Sequence, residues 1–246
     1  MDHKHFNAKS AAEYVEVVDE PMHKEIYADR HFRAYCVNLS PGQVTQYHRH
    51  SEDTIYLVLR GGRMISKTLR GHKRSLMVFP RSFSIFKKLG LVLQNALTGS
   101  VHFPAGLFYV MPTQKHPFFH LAAASSHNRG EASLMGIEIQ HGSAVRVPAP
   151  RDIFPWRIEY KGGTILVLTC SFPDATRHGL ALPGYSLFMV CIAGSLEVVS
   201  EHAIERAPHR LVKADFLCIS GEYSVQITNS GSKVAEMMVI ALSVDD

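Results

Sequence analysis

An all-β architecture of two successive barrels is the fold class this 246-residue sequence predicts, and three observations predict it. Short apolar segments recur along the chain, separated by Gly, Pro, Asn and Ser. Their rhythm is period two in most places, as in half-buried strands, and it lacks the strand–helix alternation of a parallel sheet. The pattern also runs twice, on either side of a proline-rich stretch at 144–156 that carries the lone tryptophan. Such a repetition suggests an internal duplication.

Residues 1–30 are polar and acidic and read as a short N-terminal extension. Ser10 and Glu13 have the spacing of a capping box, so a short helix is expected near Ala11–Val18, with Pro21 opposing its continuation. The first module is then 31–143. Its strands are expected at Arg33–Leu39, Thr54–Leu59, Ser75–Phe79, Gly106–Met111, Pro117–Ala124 and Leu134–Ile139. Within it, Ser84–Leu97 has helical spacing through Ile85, Phe86, Leu89, Val92, Leu93 and Ala96. A connector covers 144–160. The second module, 161–246, has strands expected at Thr164–Cys170, Ser186–Ile192, Ser195–Val199, Phe216–Ser220, Tyr223–Thr228 and Val234–Leu242.

Composition narrows the function. A 46% hydrophobic and 20% charged content is that of a globular chain. No apolar run approaches the ~18–20 residues of a membrane span, and the first ten residues lack the apolar core of a signal peptide. A cytoplasmic protein is therefore expected, with Cys36, Cys170, Cys191 and Cys218 reduced, since no two of them share metal or disulfide spacing. The net charge of +4 conceals a polarised chain. Thr54–Gly130 contains eleven Lys and Arg and no acidic residue, so the remainder sums to −7. That basic stretch, much of it in Gly62–Ala105, reads as a solvated surface or as a lid that steers an anionic substrate. No nucleic-acid motif accompanies it. Nucleophile-elbow, P-loop and Rossmann patterns are also missing.

The chemistry concentrates in Pro41–Gly62, PGQVTQYHRHSEDTIYLVLRGG. His48 and His50 stand two residues apart on a strand, so both rings project from one face and can reach one ion. Imidazole nitrogen suits Fe, Mn, Ni, Zn or Cu. His48 follows Gly42 after five residues, Thr54 follows His50 after three, and Gly61 follows Thr54 after six. This spacing resembles the first motif of the cupin superfamily, and the chain as a whole resembles a bicupin with a degenerate second barrel. One departure stands out: Thr54 occupies the slot of the motif's glutamate. The resemblance then implies a three-histidine site, unless Glu52 or Asp53 supplies an oxygen.

The second motif is less regular. Counting forward from Gly106 and Pro112 points to His116 as the third ligand; counting back from the strand ending in Ile137 and Glu138 points to His120. Both stay open, and a third alignment through Pro104 would place Tyr109 there. The other eleven histidines, at 3, 5, 23, 31, 72, 102, 127, 141, 178, 202 and 209, have no ligand spacing. Phe108, Phe118 and Tyr56 are expected to wall the site. Counting back from Gly194 places Ala181, Pro183 and Leu187 at the second barrel's ligand positions, so no metal is expected there.

The resemblance implies a metal-dependent enzyme acting on a small organic molecule, an anionic one if the basic stretch steers it. A non-haem Fe(II) dioxygenase comes first; a metal-assisted isomerase, lyase or decarboxylase, or a small-ligand-binding protein without catalysis, comes second. A homodimer is the expected assembly.

Overall fold

The computed structural model describes residues 14–70, 76–78, 90, 101–113, 117–140, 153–162, 164–200, 208–220 and 224–244. These form two compact units. The first takes residues up to Ala28 together with Arg33–Ile139, and the second takes Asp29–Phe32 together with everything from Gln140.

The first unit is built from β1 (Val15–Glu16), β2 (His23–Ala28), β3 (Phe32–Leu39), β4 (His48–His50), β5 (Thr54–Arg60), β6 (Gly62–Arg70), β7 (Leu76–Val78), β8 (Val101–Phe103), β9 (Phe108–Met111), β10 (Phe118–Ala124) and β11 (Ala132–Ile139). They form two sheets, ordered β1-β4-β10-β6-β8 and β2-β3-β11-β5-β9-β7. Alternation along the strands buries one face of each. Tyr35, Val37 and Leu39 from β3, Tyr56 and Val58 from β5, and Ala132 and Leu134 from β11 meet Met64, Phe103, Phe118 and Ala124 in one core.

The second unit holds β12 (Arg157–Gly162), β13 (Ile165–Phe172), β14 (Arg177–Ala181), β15 (Tyr185–Ala193), β16 (Ser195–Ser200), β17 (His209–Val212), β18 (Phe216–Ile219), β19 (Ser224–Asn229) and β20 (Ala235–Ser243). Its sheets run β12-β13-β20-β15-β18 and β14-β19-β16-β17. That is the order of β2-β3-β11-β5-β9 and of β4-β10-β6-β8, strand for strand. The duplication read from the sequence is present in the topology.

Several expectations change. The capping box predicts a helix near Ala11–Val18; Ser10 to Glu13 lie outside the described residues, and beyond them β1 pairs in parallel with β4 and Val17–Asp19 makes one 3-10 turn. Backbone pairing there outweighs local propensity, since a three-residue turn cannot compete with sheet hydrogen bonds. From Val15 onward the supposed extension belongs to the first unit, with β2 paired to β3. The connector also ends inside the second unit: β12 begins at Arg157, and Trp156 is buried in that unit's core with Nε1 donating to the Gly179 carbonyl at 3.2 Å. Gly62 opens β6, and Arg63 and Lys67 of the basic stretch sit on that strand. Of the Gly62–Ala105 stretch read as a lid, the ends form β6 and β8 and the middle gives β7; its remainder, with the helix across Ser84–Leu97 apart from Gly90, lies outside the described residues. All four cysteines are free thiols.

In the second unit, Ala181 and Pro183 are exposed, while Leu180 and Leu182 enter the core. Four residues separate the inward-facing Leu182 from Leu187, where three separate His50 from Thr54, and that extra residue reverses the parity inferred by counting back. Leu187 does face inward. The interior is filled by Leu180, Leu182, Leu187, Met189, Val225 and Ile227. No titratable cluster capable of holding an ion occurs among its described residues.

No helix among the described residues is long and apolar enough to cross a membrane.

Candidate metal centre

Motif spacing becomes geometry at Gly42. Its φ is +81°, a backbone conformation that side-chain-bearing residues rarely adopt, and it sets the turn leading into β4. At the far end of β5, a Cβ on Gly61 would meet the Phe103 carbonyl oxygen at 2.6 Å. The two glycines thus fix where the histidine strand enters and where its successor leaves.

His48 and His50 project inward from β4, both fully buried. On the neighbouring β10, His120 pairs with His48 and Phe118 with His50. His120 therefore shares the histidine face, with ring centroids 4.6 Å from His48 and 5.1 Å from His50. The Nε2 atoms of His50 and His120 lie 3.1 Å apart. His116, the other sequence candidate, lies outside the described residues.

A fourth ring was missed by the sequence reading. His23, on β2, packs 4.6 Å from His48 between ring centroids. One ligand atom each from His23, His48 and His50 falls within 4.8 Å of the others, whereas His120 joins through His48 and His50. Glu52 and Asp53 are not in that group. Nothing in the local sequence of His23 signals this, because the ring arrives by strand pairing from 25 residues upstream.

The outer partners share one pattern. His48 Nδ1 lies 2.9 Å from the Gln46 carbonyl, His23 Nδ1 lies 2.6 Å from Glu20 Oε2, and His120 Nδ1 lies 2.8 Å from Ser66 Oγ. A carbonyl or carboxylate can only accept, so Nδ1–H of His48 and His23 donates and Nε2 keeps its lone pair. An outer partner that fixes the tautomer in this way accompanies metal-binding histidine. His48 Nε2 is buried and has no hydrogen-bond partner at all. Such an atom costs about 1–3 kcal/mol unless something occupies its lone pair. Burial drives His48 down to about 4, reinforced by His23 and partly opposed by the Gln46 carbonyl and Glu20. Burial, then the charges of His48 and His23, holds His50 well below the ordinary histidine value. Both rings are neutral near pH 7, as ligation requires.

Thr54 occupies the carboxylate slot and donates its hydroxyl proton to the Glu52 carbonyl at 2.9 Å. Thr113 donates to the same oxygen. Opposite the histidines, Tyr56 places its hydroxyl 3.2 Å from His50 Nε2 and 2.8 Å from the Tyr35 hydroxyl. Burial raises both phenols far above their usual range, so they stay protonated. Tyr109 stacks on Tyr56 with ring planes 18° apart. A cavity reaches these groups, lined also by Phe103, Met111 and Leu134. Tyr56 thus walls it as expected. Phe108 does not: it lies on the other face of β9 from Tyr109, and Tyr109 takes that place. Phe118 backs the site, 4.7 Å from the His120 ring.

Glu138, buried in β11 opposite Thr54, is pushed up to about 7, mainly by burial, with Arg33 at 3.5 Å opposing. Its folded value exceeds the usual 4.5, so the folded state holds that proton more tightly between pH 4.5 and 7. Stability from this group is present at low pH and lost as pH rises through 7, by roughly 3 kcal/mol. His48 acts with the opposite sign: its depressed value costs stability as pH falls from 6.5 towards 4. Glu138→Gln removes only the first effect. We expect this variant to gain about 2–3 kcal/mol over the parent on going from pH 4.5 to pH 8, read by urea unfolding of metal-free protein. Parallel pH–stability curves would contradict the assignment.

No family model matches the chain, and no curated protein matches it. Solved structures do. A salicylate 1,2-dioxygenase from Pseudoaminobacter salicylatoxidans aligns with a TM-score of 0.54 at 10% identity, covering 87% of this chain and 72% of the other. AerE from Microcystis aeruginosa aligns at 0.51 and 12% identity, over 91% and 98%. A cupin 2 conserved barrel domain protein from Leptotrichia buccalis aligns at 0.50 and 9% identity, over 96% and 91%. At these identities the likeness is one of fold.

Proposed function

We propose that this chain, a tandem pair of cupin folds, is a metal-dependent enzyme whose first barrel acts on a small organic molecule, and that a non-haem Fe(II) dioxygenase is the reading its geometry supports best. One observation carries it: three imidazoles have Nδ1 engaged outward, and the buried Nε2 of His48 has no partner. The residues fit an ion. Two nitrogens each ~2.1 Å from one ion and at right angles to it stand about 3.0 Å apart, and the 3.1 Å between His50 and His120 matches. His48, His50 and His120 would hold the ion, and burial keeps His48 and His50 neutral. Imidazole donors accept Fe(II) readily and leave Mn, Ni, Zn and Cu open. A bound ion would supply Lewis acidity, and if it is iron, redox chemistry toward dioxygen.

The chain's own residues supply the rest. Gln46 and Ser66 hold the ring orientations of His48 and His120. Met111, Leu134 and Phe103 keep the far wall apolar and exclude water. No carboxylate stands among the clustered ligand atoms, the nearest being Glu20 behind His23, so a dication would keep positive charge toward the cavity, which favours an anionic substrate. The salicylate 1,2-dioxygenase of the same fold makes hydroxybenzoates reasonable first substrates to try.

A second reading, a metal-assisted isomerase, lyase or decarboxylase, is favoured by Tyr56. Its protonated hydroxyl, oriented by Tyr35, sits beside the histidines and can deliver a proton to a bound substrate.

The test is metal analysis after reconstitution with Fe(II), Mn, Ni, Zn and Cu, followed by oxygen uptake with hydroxybenzoates, catechols, thiols and diketones. One equivalent of metal is expected, lost in His50→Ala, with uptake by the iron form. A chain that stays metal-free after reconstitution overturns the reading. Stoichiometric metal with substrate turnover but no oxygen consumption selects the second one.

A further inference from the structure

We propose that His23, held by Glu20, is a fourth protein ligand that takes the place of the motif carboxylate Thr54 does not provide. The proposal rests on the reading that the first barrel binds a metal, and it concerns which residues complete that site.

Thr54 is spent: its hydroxyl proton goes to the Glu52 carbonyl. The ring of His23 meanwhile packs against both motif histidines, with centroids 4.6 Å from His48 and 6.1 Å from His50. Its ligand atom falls within 4.8 Å of theirs. The partnerless Nε2 of His48 belongs to the same cluster.

Glu20 explains the precision of this placement. Its side chain is fully buried, and both of its oxygens accept hydrogen bonds. Oε2 accepts from His23 Nδ1 at 2.6 Å and from the Met22 backbone N–H at 2.8 Å; Oε1 accepts from the Gln46 backbone N–H at 3.0 Å. Gln46 in turn offers its carbonyl to His48 Nδ1. One carboxylate thus positions two rings, His23 directly and His48 through a single residue. A carboxylate behind a histidine raises the basicity of the far nitrogen and locks its tautomer. The negative charge that the motif normally places on the ion is here one residue further out, behind an imidazole. Four imidazole donors would still leave room on an ion for an exogenous molecule.

The test uses the full chain loaded with Cu(II), pulsed EPR to count coordinated imidazoles, and chelator competition for affinity. The expected results are a four-imidazole signature in the parent and three in His23→Phe, which keeps the ring volume, with weaker binding. Glu20→Gln keeps the shape but not the charge; it should keep four imidazoles and lose about 10–100-fold in affinity. Should His23→Phe fail to fold, the imidazole count in the parent and the affinity of Glu20→Gln decide. A parent with three imidazoles, or His23→Phe with unchanged signature and affinity, overturns the proposal while the metal reading stands. A parent that binds no metal overturns both.

Discussion

Replacing His48 by leucine should abolish stoichiometric metal binding and, in the metal-free protein, raise stability. The two effects have one cause. His48 is fully buried, and its Nε2 has no hydrogen-bond partner. Burying such an atom costs about 1–3 kcal/mol. The low proton affinity of the ring, about 4, reports the same desolvation. Leucine has similar bulk and nothing to desolvate. It forfeits the Nδ1 bond to the Gln46 carbonyl, about 1 kcal/mol, but Gln46 is an exposed residue whose backbone can turn to water. The net expectation is a gain of about 1 kcal/mol, or roughly 2–4 °C in Tm. Metal affinity should fall by more than the 10–100-fold that loss of an outer partner costs, because a direct donor is gone. Calorimetry on chelator-treated protein and metal analysis of the reconstituted variant check both halves. A destabilised metal-free variant would mean His48 is an ordinary packed core residue; retained metal would mean it is no ligand.

The same four rings mark the limit of what the sequence could disclose. Period-two reasoning placed His48 and His50 on one face because both lie on a single strand, where parity is local. It recovered β3, β5, β10 and β11 within a residue or two for the same reason: each has an apolar face that must be buried. His120 was reached only by counting along a neighbouring strand, and the cross-strand register with His48 settles which face it shares. His23 was out of reach. The segment around it is polar, with four of the six β2 residues exposed, so it has no strand-like apolar pattern. What brings it to the site is pairing with β3 and the Glu20 contact, neither of which leaves a spacing in the sequence. The second barrel failed in the opposite direction. There the motif was counted through a turn of different length, and one residue of slip turned Ala181 and Pro183 outward and brought Leu180 and Leu182 in.

Gly136→Val should be the most damaging single substitution behind the site, destabilising the first barrel by about 3–5 kcal/mol. Gly136 lies in β11, opposite Tyr56 of β5, and the ring of Tyr35 fills the space its missing side chain leaves. A Cβ there would stand 2.5 Å from Tyr35 Cζ and 2.8 Å from its hydroxyl oxygen. Those distances are too short for rotamer adjustment of a ring that is only 2% exposed. Tyr35 must therefore leave its place, and with it goes the 2.8 Å bond that orients the Tyr56 hydroxyl beside His50. Overpacking accounts for about 1–3 kcal/mol and the unpaired buried phenol for about as much. Because the clash has a single identifiable partner, it is testable by a cycle. In a Tyr35→Ala background the valine has room, and its cost should fall by at least about 2 kcal/mol. Additive effects of the two substitutions in urea unfolding would show that Gly136 is required for the strand itself and not for the tyrosine. Tyr35→Phe separates position from hydrogen bonding. It keeps the ring over Gly136 and removes only the hydroxyl, so the barrel should keep most of its stability while Tyr56 loses the Tyr35 bond and keeps His50 alone. If proton delivery from Tyr56 matters to the reaction, turnover should fall in Tyr35→Phe with metal content unchanged, and that separates an oriented phenol from one that merely packs.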